Sequence, residues 1–126
     1  MHEIYFYKSP QGDEPVLDYI KELAKKQDKD SKVKLRKIHD YIKILAQYGK
    51  QAGEPYVKHL EGEIWELRPM RDRIFFVGWM NDSYILLHSF LKKTQKTPAR
   101  EIEKAKRELA DLMARGSGDE KQCDRQ

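Results

Sequence analysis

The chain has 126 residues, of which 39% are hydrophobic and 37% are charged; this suits one folded domain and excludes wholesale disorder. The formal net charge of +4 favours a polyanionic partner only weakly. Cys123 is the single cysteine, which excludes an internal disulfide and argues against a thiolate-rich zinc site. Because no apolar run is long enough to span a bilayer and the first residues do not resemble a signal peptide, we expect a cytoplasmic protein with no membrane partner.

The first part of the chain predicts a strand followed by a helical hairpin. Residues 3–8 are rich in strand-forming side chains and end at a Ser-Pro-Gln-Gly loop signal. Asp13 or Glu14 before Pro15 is typical of a helix start, and the apolar spacing carries this helix to about Lys26. A second helix is predicted from about residue 30 to Gly49, a residue suited to a left-handed cap.

The second part of the chain predicts strands and a last helix. After a loop at 50–56, three strand-like runs lie at 63–68, 73–80 and 84–92. Their short, turn-forming connections favour antiparallel hairpins, and the apolar middle run is expected to be a central strand covered on both faces. A helix beginning at Thr97 and Pro98 ends near Gly116. The order β-α-α-β-β-β-α predicts an α+β domain over 1–115, with a small, mainly antiparallel sheet, and a disordered polar tail over 116–126.

Side chains alternate between the two faces of a strand, so the sequence predicts which charged groups meet. The hairpin is expected to cover an apolar set made up of Trp65, Leu67, Ile85 and Leu87. The opposite face then carries a polar set: Glu66, Arg68, His88 and Lys92, with Arg73 at the hairpin end. Arginine binds phosphate through two hydrogen bonds, lysine adds a point charge, and glutamate or histidine exchanges protons. The polar set therefore suits an anionic substrate, although a register shift of one residue would reverse a strand.

No common catalytic signature is present in the sequence. It has no phosphate-binding Gly-rich loop, no Gly-x-Ser-x-Gly elbow and no His-Glu-x-x-His motif. The four histidines are scattered, and a scattered histidine is more often structural than a ligand. We therefore expect no metal and no cofactor.

Three segments carry a resemblance to a known family: Lys58 to Arg68, Arg73 to Phe76, and Leu86 to Pro98. Within them, Trp-Glu-Leu-Arg at 65–68 and Phe-Leu-Lys-Lys-Thr-Gln-Lys-Thr-Pro at 90–98 are the most specific. Together they resemble the phage-type HigB-like toxins of the RelE/ParE superfamily, the toxin halves of bacterial toxin–antitoxin pairs. The resemblance covers roughly residues 1–113 and implies a RelE-like fold.

The resemblance implies a type II toxin that inhibits translation as a ribosome-dependent mRNA endoribonuclease. The implied chemistry is metal-free: the ribose 2′-OH attacks the adjacent phosphate, which leaves a cyclic phosphate and a free 5′-OH. The implied partners are the ribosome, mRNA and a cognate helix-turn-helix antitoxin, with operator DNA bound only through the antitoxin.

By motif position, the resemblance also implies which residues form the site. The catalytic candidates are Arg68, Arg73, Glu66, Lys93 and His88. The RNA-binding candidates are Lys58, Lys92 and Lys96. Arg68 and Arg73 would stabilise the phosphate, and Glu66 or His88 would transfer protons. Several superfamily members have a catalytic His or Tyr after the last strand, whereas this chain has lysines there, so the acid and the base stay open.

Each of these residues also has a plainer interpretation. Glu66 and Arg68 could form a cross-strand ion pair, and His88 could be packed beneath the last helix. Trp65 and Trp79 are expected in the core rather than on an RNA-stacking surface. The cations Lys104, Lys106 and Arg107 would then be a solvated helix face. At the level of function, the alternatives are a non-catalytic RNA-binding or regulatory module and a pure protein-interaction subunit.

Overall fold

The computed structural model describes residues 1–116. The strands are β1 (Ile4–Phe6), β2 (Val57–Glu61), β3 (Ile64–Leu67), β4 (Asp72–Trp79) and β5 (Ser83–Leu91). The helices are α1 (Pro15–Lys25), α2 (Lys29–Tyr48) and α3 (Ala99–Gly116), with short 3₁₀ turns at Gly49–Ala52 and Met80–Asp82. This confirms the predicted α+β class. The predicted polar tail, which contains Cys123, lies outside the described residues from position 117 onward.

The five strands form one sheet in the order β1-β5-β4-β3-β2. β1 runs parallel to β5, and the other neighbours are antiparallel. β4 lies in the middle, and its segment Ile74 to Val77 is fully buried. The prediction of a central strand covered on both faces is therefore confirmed.

The predicted element order is wrong by one strand, because β2 lies between the predicted loop at 50–56 and the predicted strand at 63–68, where no strand was assigned. β2 pairs with β3 at the edge of the sheet, and its Lys58, His59 and Glu61 are exposed. An edge strand that presents charged side chains to water lacks the apolar alternation by which strands are found in a sequence.

The helical hairpin formed by α1 and α2 covers one face of the sheet. Val16, Leu23, Ile38 and Leu45 of the hairpin form a core with Leu67, Ile74, Phe76, Tyr84 and Leu86, against which Trp65 packs. α2 begins where the Asp28 carboxylate accepts hydrogen bonds from the Ser31 backbone N–H and hydroxyl at 2.9 and 2.8 Å. It ends at Gly49, whose φ of 63° is left-handed.

α3 covers the other face, where Ala105 and Leu112 pack with Phe75, Val77, Ile85 and Leu87. The prediction that Ile85 and Leu87 lie under the hairpin is therefore wrong. A bulge explains Leu87: Ile74 pairs with Ser89 but Phe76 pairs with Leu86, so Leu87 and His88 together oppose Phe75. No helix within residues 1–116 is long and apolar enough to cross a membrane.

Candidate active site

Glu66 is a carboxylate buried within the sheet, with 1% of its surface exposed. It lies in β3, where it pairs with Lys58 of β2 on one side and Phe75 of β4 on the other. A buried charge needs compensating partners. Glu66 Oε1 lies 3.5 Å from Arg68 Nε and 3.7 Å from Arg73 Nε, and Thr97 Oγ1 donates to Oε2 at 3.4 Å. Glu66 is thus the common partner of two guanidinium groups.

Arg68 and Arg73 are both held mostly within the protein, with side chains 20% and 11% exposed. Arg73 Nη1 donates to the carbonyl oxygens of Met70 and Asp72 at 2.7 and 2.9 Å, which fixes its direction. Among the described atoms, the Nε of each arginine is buried without a hydrogen-bond acceptor. Each Nε therefore pairs with Glu66 through charge and not through a hydrogen bond.

Burial lowers the pKa of Arg73 from its ordinary value, an effect that Glu66 opposes and Arg68 reinforces. A guanidinium group stays protonated at neutral pH even so. Because Arg73 is poorly hydrated, its charge interacts more strongly with a nearby anion than it would in water, since the energy between two charges rises as the effective dielectric constant falls.

Lys92 follows β5 directly and is half-buried beside the arginines. Burial lowers the pKa of its amine, Glu66 acts in the opposite direction, and Arg73, Arg68 and Lys58 each lower it further. A lysine that gives up its proton more readily than usual is a candidate acid or base. The acid that the sequence left open therefore has a candidate in Lys92, which the resemblance implies as an RNA-binding residue.

We call Glu66 and the four cations around it the cationic cluster; its cations are Lys58, Arg68, Arg73 and Lys92. Glu54 lies at its rim, 3.5 Å from Arg68. Four cations against two carboxylates leave a formal charge of +2. The cluster combines two bidentate phosphate binders, a carboxylate and a lysine with a lowered pKa. Such a set can hold a phosphodiester and move protons around it.

His88 is placed differently from the other candidates. Glu108 Oε1 lies 2.6 Å from its Nδ1, and Glu101 Oε1 lies 3.0 Å from its Nε2. Its ring also packs edge-on against Phe75, 5.3 Å between ring centres. These contacts join His88 to α3, which agrees with the interpretation that it is packed beneath the last helix.

Lys93 and Lys96 are exposed in the segment between β5 and α3. Their side chains make no ion pair or hydrogen bond with other residues of the range 1–116. Of the cations assigned to a solvated face of α3, Lys104 and Arg107 are exposed, whereas Lys106 pairs with Glu61 and Glu103. The structure therefore gathers five of the eight predicted site residues and leaves three outside.

The sequence reasoning missed two residues that contact the cationic cluster. Thr97 looked like a helix start, and Glu54 lay in a loop; neither has a local pattern that indicates a site. Trp65 and Trp79 are half-buried against the two cores, as predicted. Across residues 1–116, no group of three or more His, Cys, Asp or Glu side chains could hold a metal ion.

A comparison with curated proteins gives no match. The family described as phage derived protein Gp49-like (DUF891) matches residues 18–110, which is 93 of the 126 residues and includes the whole cationic cluster. This family is associated with toxin–antitoxin systems and RelE-like toxins. The match extends over most of the chain, and the protein therefore belongs to the Gp49-like family of phage-derived proteins.

Proposed function

We propose that this protein is a HigB-like toxin of a type II toxin–antitoxin system and that it cleaves translated mRNA on the ribosome. The observation that carries this proposal is the cationic cluster, in which a buried Glu66 is shared by two arginines whose Nε atoms have no hydrogen-bond acceptor among the described atoms. Membership of the Gp49-like family supports the toxin assignment. The resemblance of residues 58–68 and 86–98 to HigB-like toxins supports the choice of mRNA.

The proposed reaction is an internal transfer at one phosphodiester. The 2′-oxygen forms a bond to phosphorus, its proton goes to Glu66, and the bond from phosphorus to the 5′-oxygen breaks. Lys92 donates a proton to that oxygen, so the products are a cyclic phosphate and a 5′-OH. Arg68 and Arg73 stabilise the charge that builds up on the phosphorane, the part of such reactions that positioned donors assist most.

The burial of Glu66 puts a condition on this reaction. With 1% of its surface exposed, Glu66 reaches a 2′-OH only when Arg68 and Arg73 turn from it towards the phosphate. Their Nε atoms lie 3.5 and 3.7 Å from the carboxylate without a hydrogen bond, so charge alone holds them there. The attraction of the phosphate must offset the ion pairs with Glu66 and the two backbone hydrogen bonds of Arg73 that are lost when the side chains turn. Binding of the anion would thus uncover the base.

The test is induction of the protein in a bacterial cell that lacks a partner, with mapping of mRNA 5′ ends. Wild type should arrest growth and cut within translated codons, whereas Arg73→Ala should do neither. Lys21→Ala, which removes an exposed cation from α1, is the matched control and should behave as wild type. Soluble wild type that neither arrests growth nor cuts mRNA would overturn the enzyme and leave an RNA-binding module or an interaction subunit.

The same resemblance supports a cognate helix-turn-helix antitoxin as the partner, with operator DNA bound through it. Co-expression of a neighbouring helix-turn-helix protein should restore growth and copurify with the toxin. Growth arrest that persists in the presence of a bound partner would contradict an antitoxin role.

A further inference from the structure

A groove lies between α2 and the loop that leads into β2. It has a volume of about 450 Å³, within the range of small-molecule sites. We call it the α2 groove; its lining includes Lys37, Asp40, Tyr41, Lys43, Pro55 and Tyr56. Two lysines against one aspartate give these residues a formal charge of +1. The groove is therefore open, weakly cationic and partly aromatic.

The two lysines of the α2 groove have no partner among the residues that the structure describes. Lys37 and Lys43 are exposed, and neither makes an ion pair or hydrogen bond with another residue in the described range 1–116. Lys34, on the same helix, is instead paired with the buried Asp72 at 3.6 Å. Lys37 and Lys43 therefore keep their charge for an external anion.

Two tyrosines form the aromatic part of the α2 groove. Tyr41 and Tyr56 are both half-buried, and their rings meet edge-on with centres 5.1 Å apart. An edge-to-face pair leaves ring surface that the partner ring does not cover. Single-stranded nucleic acid is bound by this combination of cations along the backbone and aromatic rings beneath the bases.

The α2 groove adjoins the cationic cluster. The backbone N–H of Arg68 donates to the carbonyl oxygen of Tyr56 at 3.0 Å, and the Arg68 side chain reaches Glu54 in the same loop. The α2 groove lies on the hairpin face of the sheet and the cationic cluster on the α3 face, so an RNA strand bound at both would pass around the loop that carries Glu54 and Tyr56.

We propose that the α2 groove binds single-stranded RNA next to the cleaved phosphate, with a base against Tyr41 and Tyr56 and phosphates at Lys37 and Lys43. This inference rests on the proposed function, since it takes the cationic cluster as the place of cleavage. It extends the substrate site from one phosphate to neighbouring nucleotides.

The first test is a binding titration by fluorescence anisotropy with a labelled single-stranded RNA of about 12 nucleotides carrying 2′-O-methyl riboses, long enough to span one single-strand site. This RNA cannot be cleaved by 2′-OH attack, so binding is measured apart from catalysis. The double variant Lys37→Gln with Lys43→Gln should reduce the slope of log affinity against log salt concentration by about 1.4, because each of two lost phosphate contacts contributes about 0.7. The ratio of wild-type to variant affinity should then fall about sevenfold between 50 and 200 mM salt.

The matched control is Lys21→Gln with Lys104→Gln, which removes two exposed cations from α1 and α3. It should keep the wild-type slope. An unchanged slope in the groove variant, an equal loss in the control, or no binding by wild type at 50 mM salt would each overturn the proposal.

The second test addresses stacking at Tyr56. Tyr56→Leu should weaken binding of the single-stranded RNA about 5- to 150-fold, whereas Tyr56→Phe should bind as wild type does because it keeps the ring. Binding should also favour the single strand over the same sequence as a duplex, whose bases are already stacked. Equal affinity of the two variants, or of strand and duplex, would overturn a stacking site.

The two proposals can fail separately. If wild type cuts mRNA but the groove variants bind like wild type, the α2 groove is wrong and the nuclease stands. If wild type never cuts but the groove variants lose affinity as described, the groove stands as an RNA site and the nuclease is wrong.

Discussion

Replacing Glu66 with glutamine changes one charge at the centre of the cationic cluster and almost nothing in volume. The carboxylate is 1% exposed and lies within 3.7 Å of both arginines, so the variant leaves two poorly hydrated guanidinium groups without their shared anion. Removing one partner of a fully buried ion pair costs about 3–5 kcal/mol. Because the arginines are 20% and 11% exposed and can recruit water, we expect the free energy of unfolding to fall by about 1–3 kcal/mol.

Catalysis and binding should move in opposite directions in Glu66→Gln. Loss of the proton acceptor should lower the cleavage rate about 10²- to 10⁴-fold. Loss of the negative charge should strengthen binding of the uncleavable single-stranded RNA, since two charges 4 Å apart in water interact by about 1 kcal/mol, or about fivefold. A residue that only braced the fold would not produce this divergence.

Three measurements decide this prediction: urea unfolding, single-turnover cleavage on programmed ribosomes, and anisotropy with the uncleavable RNA. Glu63→Gln is the matched control, because it makes the same substitution at an exposed position in the β2–β3 turn. Cleavage at the wild-type rate would refute Glu66 as the base. A joint fall in cleavage and RNA affinity would show that Glu66 acts by holding the two arginines in place.

Three further predictions concern Lys92, His88 and Gly49. Burial and neighbouring cations lower the pKa of Lys92. If Lys92 is the acid, the cleavage rate should decline with rising pH, beginning below the ordinary lysine pKa of about 10.4, and Lys92→Arg should shift that decline to higher pH. A decline at the same pH in Lys92→Arg would mean that another group donates the proton. His88→Leu should cost about 3–5 kcal/mol in urea unfolding because it leaves buried Glu108 unpaired, with cleavage by folded protein unchanged; a hundredfold slower rate at normal stability would make His88 catalytic. Gly49→Ala should cost about 1–3 kcal/mol in urea unfolding, since φ is 63° and the new Cβ would lie 2.6 Å from the Tyr84 hydroxyl and 2.7 Å from His2 Nε2. Unchanged stability would refute the backbone strain at this position.

The elements predicted well are those whose signals are local. Pro15 at the start of α1, the apolar repeat of α2 with Gly49 behind it, and the apolar run Ile74 to Val77 each depend on neighbours in the chain. β2 was not predicted because it is a strand through its pairing with β3 and has no strand pattern in its own sequence.

The bulge in β5 shows why the faces could not be assigned from alternation. Strict alternation separates Leu87 from His88, yet both oppose Phe75 and both face α3. One extra residue reverses which side chains share a face, and nothing near position 87 in the sequence marks it.

The sequence by itself determined which charged side chains this protein has near the strand ends, and its motifs indicated Glu66, Arg68 and Arg73 as a set. Only the tertiary structure decided their relations: Glu66 between two arginines, Lys92 with a lowered pKa beside them, and His88 held by α3. The reason is physical. Residue type is a property of the chain, whereas hydration and the distances between charges arise when strands distant in sequence pack together.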